Sequence, residues 1–113
     1  LRPEGRGGEA QEAIAEHLEL AGEVTAAAAR SRRAADAARA AFSNERAIRL
    51  YARALSCLGG SELSARIHIW HDLGSVYELI GDFEAALGAF ERMLRLSWVA
   101  ASKTKAAVAL IFS

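Results

Sequence analysis

The 113 residues suffice for one small domain with a modest core, and the chain carries no net formal charge. Alanine is abundant, Pro3 is the one proline, and β-branched residues never alternate with polar ones over a useful length, which excludes a sheet domain and leaves an all-α fold. No apolar run approaches the roughly 20 residues of a membrane span, and the single Cys57 excludes a disulfide within the chain.

The charge is unevenly spread. Residues 1–23 are net −4, residues 24–53 net +5 and residues 54–100 net −3, followed by Lys103 and Lys105. The basic block, Arg30 to Arg53, reads as solvated faces of a helical hairpin. Nucleic-acid binding would call for aromatics interleaved with the arginines, whereas Phe42 and Tyr51 read as core.

Residues 1–8 read as a flexible linker ahead of a helical domain over 9–113, and the chain as a piece of something longer. Helix one is expected over 9–20, with Ile14, Leu18 and Ala21 as its apolar stripe and Gly22 ending it. Residues 23–41 form a second helix in which alanine permits close approach of neighbours. Phe42-Ser43-Asn44 breaks it, and Ser43 or Asn44 caps a third helix over 45–58. Ser61 caps a fourth over 62–80, which ends at Gly81. Asp82 caps a fifth over 83–96, with Phe83, Ala86, Leu87, Phe90, Met93 and Leu94 as its core face. Trp98 is expected to pack beneath a sixth helix over 100–112, whose apolar end (Val108, Ile111, Phe112) implies a further repeat or self-association.

Within these elements, Trp70-x-x-Leu73-Gly74-x-x-Tyr77, Gly81 and Ala86-x-x-x-Phe90 stand at fixed spacing, and Ala47-x-x-x-Tyr51 repeats the last part 39 residues earlier. This pattern resembles the tetratricopeptide repeat, in which small residues sit at helix crossings and large ones fill the space around them. The resemblance implies a right-handed α-α superhelix of about six antiparallel helices. Its function would be to scaffold protein–protein contacts by binding a peptide or helix in a concave groove. The run from His17 to Glu23, the Ala/Arg-rich helix and Asn44-Glu45-Arg46-Ala47-Ile48-Arg49-Leu50-Tyr51 further resemble helical repeat regions of large, cytoplasmic bacterial signalling proteins. In those, the repeats follow an ATPase module, but the Gly-x-x-x-x-Gly-Lys-Ser/Thr loop of such a module is not in this sequence.

By the same resemblance, the groove takes Arg32, Asp36 and Arg39 from the second helix, His68, His71, Ser75 and Glu78 from the fourth, and Lys105 from the sixth. The fourth-helix set falls at i, i+3, i+7 and i+10, along one face. Chaperone-binding members clamp a carboxylate with lysines and asparagines, whereas His71, Asp72 and Ser75 stand near those places here.

No cofactor motif, complete metal-ligand set or catalytic constellation is found. His68 and His71 lack a third ligand, no carboxylate is placed to orient His71 toward Ser75, and Cys57 lies among leucines and alanines. The expected product is a non-enzymatic scaffold for a protein or peptide partner. The alternatives are nucleic-acid binding through the basic block and self-association through Val108, Ile111 and Phe112.

Overall fold

The computed structural model describes residues 6–60 and 62–112, which form four helices: α1 (Arg6–Ala40), α2 (Asn44–Leu58), α3 (Leu63–Leu79) and α4 (Phe83–Phe112). Among the described residues no strand occurs. Residues 1–5 of the expected linker and the capping residue Ser61 lie outside the described residues, as do the side chains of Ile14, Leu18 and Phe112.

Four helices replace the six expected, because two expected breaks do not occur. The break at Gly22 is absent: α1 runs straight through it. Among the described residues, positive φ at glycine is confined to Gly59 and Gly81. A lone glycine within a helix costs about 1 kcal/mol relative to alanine, too little to end a helix whose neighbours favour it this strongly. The second missing break lies between 96 and 100. The sequence there, Leu96-Ser97-Trp98-Val99-Ala100, contains no residue that withholds an amide or demands a left-handed backbone, so α4 continues through it.

Short connections fold consecutive helices back on one another, and α1 packs on α2, α2 on α3, and α3 on α4. The chain spreads over 61 × 46 × 19 Å, which is about two helix diameters thick. The core is correspondingly thin. It is built from Ala28, Ala35 and Ala38 of α1, Ala47, Tyr51, Ala54 and Leu58 of α2, and Ile69, Leu73 and Val76 of α3. Ala86 and Ala89 are the buried apolar residues of α4. Tyr51, Ile69 and Val76 are its largest fully buried side chains, while Trp70 and Tyr77 are half-buried against it.

The 39-residue echo is visible in the backbone. After α1, the amide of Ser43 bonds to the carbonyl of Ala38 and Phe42 takes φ 61°. After α3, the amide of Asp82 bonds to the carbonyl of Tyr77 and Gly81 takes φ 84°. These are the same left-handed helix ending. The echo also sets Ala47 beside Ala86 in role, both buried, and Tyr51 beside Phe90. The first hairpin, however, places phenylalanine where the second has glycine.

Phe42 is therefore not core, as expected from sequence, but 83% exposed in a conformation that L-residues resist. Phe42→Gly is expected to raise stability by about 1 kcal/mol, because it removes backbone strain and sacrifices little packing. Gly81→Ala is expected to lower stability by about as much. Thermal melts of the two variants check this pair, and a Tm of Phe42→Gly at or below wild type would refute it.

Capping follows the expectation at Asp82, whose Oδ1 accepts the amide of Ala85 at 3.2 Å. Ser43 stands at the N-cap of α2 without a side-chain bond.

The core face expected for the fifth helix needs correction. Ala86 is buried and Phe90 and Met93 are half-buried, but Phe83, Leu87 and Leu94 are 69%, 60% and 54% exposed. Trp98, expected to pack, is 73% exposed, since no sixth helix folds back over it. A core face read from periodicity presumes a neighbour on both sides, and α3 lies on one side only.

Candidate functional site

α1 and α3 are brought to one face by α2, which packs against both. The buried link is Tyr51. Its ring is fully enclosed, and its hydroxyl donates to Oδ1 of Asp36 on α1. Burial above all, then the bond to Asp36 and the negative charges of Asp36 and Asp72, holds the phenol well above its ordinary ionisation range, and a contact from Arg39 offsets this in part. Tyr51 thus ties two of the expected site residues, Asp36 and Arg39, to the floor of the fold.

The second link crosses from α1 to α3. The Nη2 atom of Arg32 donates to Oδ2 of Asp72 at 3.4 Å, with both side chains partly exposed. The other carboxylate oxygen of Asp72 lies 3.4 Å from Nδ1 of His71, the preceding residue. A carboxylate therefore does approach the His71 imidazole, contrary to the sequence expectation. Adjacent helix positions point about 100° apart, but the Asp72 side chain bridges that angle while also meeting Arg32. The His71 ring lies tilted against Phe90, with centroids 6.2 Å apart.

The remaining expected residues fall into two groups. Ser75 is half-buried and donates its hydroxyl to the carbonyl of His71 at 3.0 Å, so its proton is directed at the backbone rather than at the imidazole. His68 is exposed, and its Nδ1 donates to the carbonyl of Ser64 at 2.9 Å. Glu78 is exposed on the last turn of α3. Lys105 is exposed far along α4. Among the described residues no group of three His, Cys, Asp or Glu side chains is gathered as metal ligands would be.

Beside the Arg32–Asp72 pair, a cavity of about 330 Å³ opens between α1 and α3. Ala28, Ala29, Leu58 and Ile69 form its apolar walls, and Arg32, Arg33, Asp36 and Glu62 bring charge to it. On the far side of α3, Arg92 of α4 sits 5.1 Å from the ring centroid of Trp70, which keeps that indole in the α3–α4 packing.

Two contributors were missed in the sequence. Helical spacing alone sets Asp72 off the His68–His71–Ser75 face, so it is absent from the expected groove set. Tyr51 was read as core, which it is, without its hydroxyl being counted. A signal did exist: at the 39-residue offset, Tyr51 stands where the second hairpin has Phe90, and Asp36 stands where it has Ser75. The added hydroxyl and the added carboxylate are the two partners of one bond.

The class of protein is thus a flat stack of antiparallel helical hairpins whose first helices share a polar face. Residues 69–97 match the family model of the tetratricopeptide repeat, a helical unit that in general mediates protein–protein interaction. No curated protein and no solved structure matches the chain significantly.

Proposed function

We propose that this repeat region is a non-enzymatic scaffold of a larger signalling or regulatory protein in the bacterial cytoplasm, continuing as a right-handed superhelix over residues 9–113. A peptide or helix docks across the face shared by α1 and α3, touching Arg32, Asp36, Arg39, His68, His71, Ser75 and Glu78. The observation that carries this reading is the Arg32–Asp72 pair, which joins α1 to α3 beside an apolar-walled cavity. Such a face supplies both elements of peptide recognition: a recess for an apolar side chain and charged groups to fix orientation. Its side chains are already held by Tyr51, Asp72 and backbone carbonyls, so little ordering is left for the binding step.

The test is a peptide panel read by fluorescence anisotropy. For any peptide that binds, Arg39→Ala combined with His71→Ala is expected to weaken affinity at least about tenfold with unchanged helicity, while Arg53→Ala leaves it intact. Binding indifferent to the first pair would refute the assignment of this face.

Nucleic-acid binding is the rival reading, favoured by the exposure of Arg30, Arg33, Arg46, Arg49 and Arg53. It requires affinity that falls steeply with salt. Absence of DNA or RNA binding at low salt would eliminate it.

A further inference from the structure

The helix α4 is nearly twice as long as its neighbour: 30 residues against the 17 of α3, or about 45 Å against about 25 Å. Every residue from Ala101 to Ile111 is exposed. Several of the exposed apolar side chains share one stripe, with Val99 and Leu110 lying off it. Leu87, Leu94, Ala101 and Val108, all exposed, recur at every seventh position; of the residues three further on, Thr104 and Ile111 are exposed, while Phe90 and Ser97 are half-buried, Phe90 against Gly74 of α3. Leu87, Leu94, Val108 and Ile111 are each between 46% and 74% exposed. A seven-residue apolar repeat with this internal spacing is the seam of a helix that supercoils with another helix.

The two polar residues in the seam do not oppose its burial. Ser97 donates its hydroxyl to the carbonyl of Met93 at 2.9 Å, and Thr104 donates to that of Ala100 at 3.1 Å. Both donors are satisfied within α4, so a second helix covers them without stranding a polar hydrogen.

The charges beside the seam select the occupant. Glu84, Glu91, Trp98 and Lys105 form one flank, again at every seventh position, and all are exposed. The other flank, Ala86, Met93, Ala100 and Ala107, carries no charge. Parallel pairing would set the charged flank against the uncharged one and leave the glutamates and lysine unanswered. Antiparallel pairing sets the charged flank against itself, with its acidic half meeting its basic half.

We propose that α4 pairs antiparallel with α4 of a second copy of this chain. In this register Leu87 meets Ile111 of the second copy, Leu94 meets Thr104 and Ser97 meets Ala101, while Phe90 stays in the packing of α3 on α4. Glu91 then lies beside Lys105 of the second copy, twice by symmetry, and the two Trp98 rings meet at the two-fold axis. Such an interface is isologous and closes on itself. The small residues at its centre, Ser97 and Ala101, let the helices approach beneath the indoles. There is also room: each α3 covers only the first half of its own α4, so the two α3 helices occupy opposite ends of the pair.

Sedimentation equilibrium of the full 113-residue chain tests the pairing, and a dimer is expected at roughly 100 µM. Leu94→Asp, at an exposed position, is expected to weaken the dimer at least about tenfold with helicity retained. Glu91→Lys or Lys105→Glu alone is expected to weaken it, and the two together to restore it. In a Cys57→Ser background, a mixture of Glu91→Cys and Lys105→Cys chains is expected to form a disulfide-linked heterodimer. Glu91→Cys alone is expected to form no such link, since its two copies stand about 24 Å apart along the axis. A monomeric wild-type chain, or a dimer indifferent to Leu94→Asp, overturns the proposal. Crosslinking of Glu91→Cys to itself, or no rescue by the double reversal, overturns the antiparallel register.

Discussion

Tyr51→Ala is expected to lower the stability of the fold by about 3–5 kcal/mol, a large share of what a domain of this size possesses. The reason is specific to this core. Among the described residues, most of the buried ones are alanines, which have little side chain to move into a void, and Tyr51 is the one fully buried aromatic. Truncating it leaves a cavity at the point where α2 holds α1 beside α3. The urea midpoint measures the loss, and a loss below about 1 kcal/mol would show that α1 collapses onto α2 without the ring.

Tyr51→Phe separates the hydroxyl from the ring. It keeps the packing and removes one bond, so the expected cost is about 1 kcal/mol at neutral pH. It should also change the alkaline limb of the stability profile. The phenol is held above its ordinary value in the folded chain, whereas in the unfolded chain it ionises near pH 10. Below that pH both states keep the proton and the stability does not vary with this group. Above it, the unfolded chain loses the proton first, so the fold is progressively destabilised. In a Tyr77→Phe background, phenolate absorbance should therefore appear together with unfolding rather than ahead of it. Absorbance rising near pH 10 with the helical signal intact would contradict the buried hydrogen bond to Asp36.

The second large effect is expected at Gly74. A Cβ built there would stand 2.7 Å from Cε1 of Phe90 and 2.9 Å from its Cδ1 and Cζ. Helix propensity favours Gly74→Ala by about 1 kcal/mol, while overpacking opposes it by about 1–3 kcal/mol. The opposing effect should prevail, because the Phe90 ring is wedged between α3 and α4 and also lies against His71. A net loss of about 1–2 kcal/mol is expected. Phe90→Leu in the same chain should recover most of it, a coupling of at least about 1 kcal/mol in a double-mutant cycle. A more stable Gly74→Ala variant would mean that the α3–α4 spacing yields freely. The first hairpin already accommodates Ala35, fully buried, at the corresponding place, so the tight crossing belongs to the second hairpin.

Much of the second hairpin was legible because its signals are local. The spacing Trp70–Leu73–Gly74–Tyr77 fixes a packing face within one helix. Gly81 fixes its ending, and Asp82 caps the next helix whatever lies beyond. The candidate site was legible only as a set of residues on helical faces. Arg32 and Asp72 are 40 residues apart, and nothing along the chain states that they meet. Leu87, Leu94 and Trp98 were misread for a related reason: an apolar stripe announces that a surface is to be covered and does not say by what.

The amino-acid sequence by itself determined an all-α chain, the positions of the hairpin turns at 41–43 and 80–82, the repeat at an offset of 39, and the absence of a spanning helix among the described residues. Those follow from propensity, turn chemistry and periodicity, which act over a few residues at a time. Tertiary structure decided the rest: that α1 and α4 each run unbroken where two helices were expected, that Tyr51 reaches Asp36, and that Asp72 stands between Arg32 and His71. A helix ends where its backbone finds a better arrangement than another turn. At Gly22 and Trp98 no packed neighbour supplied one, so the helical bonds continued.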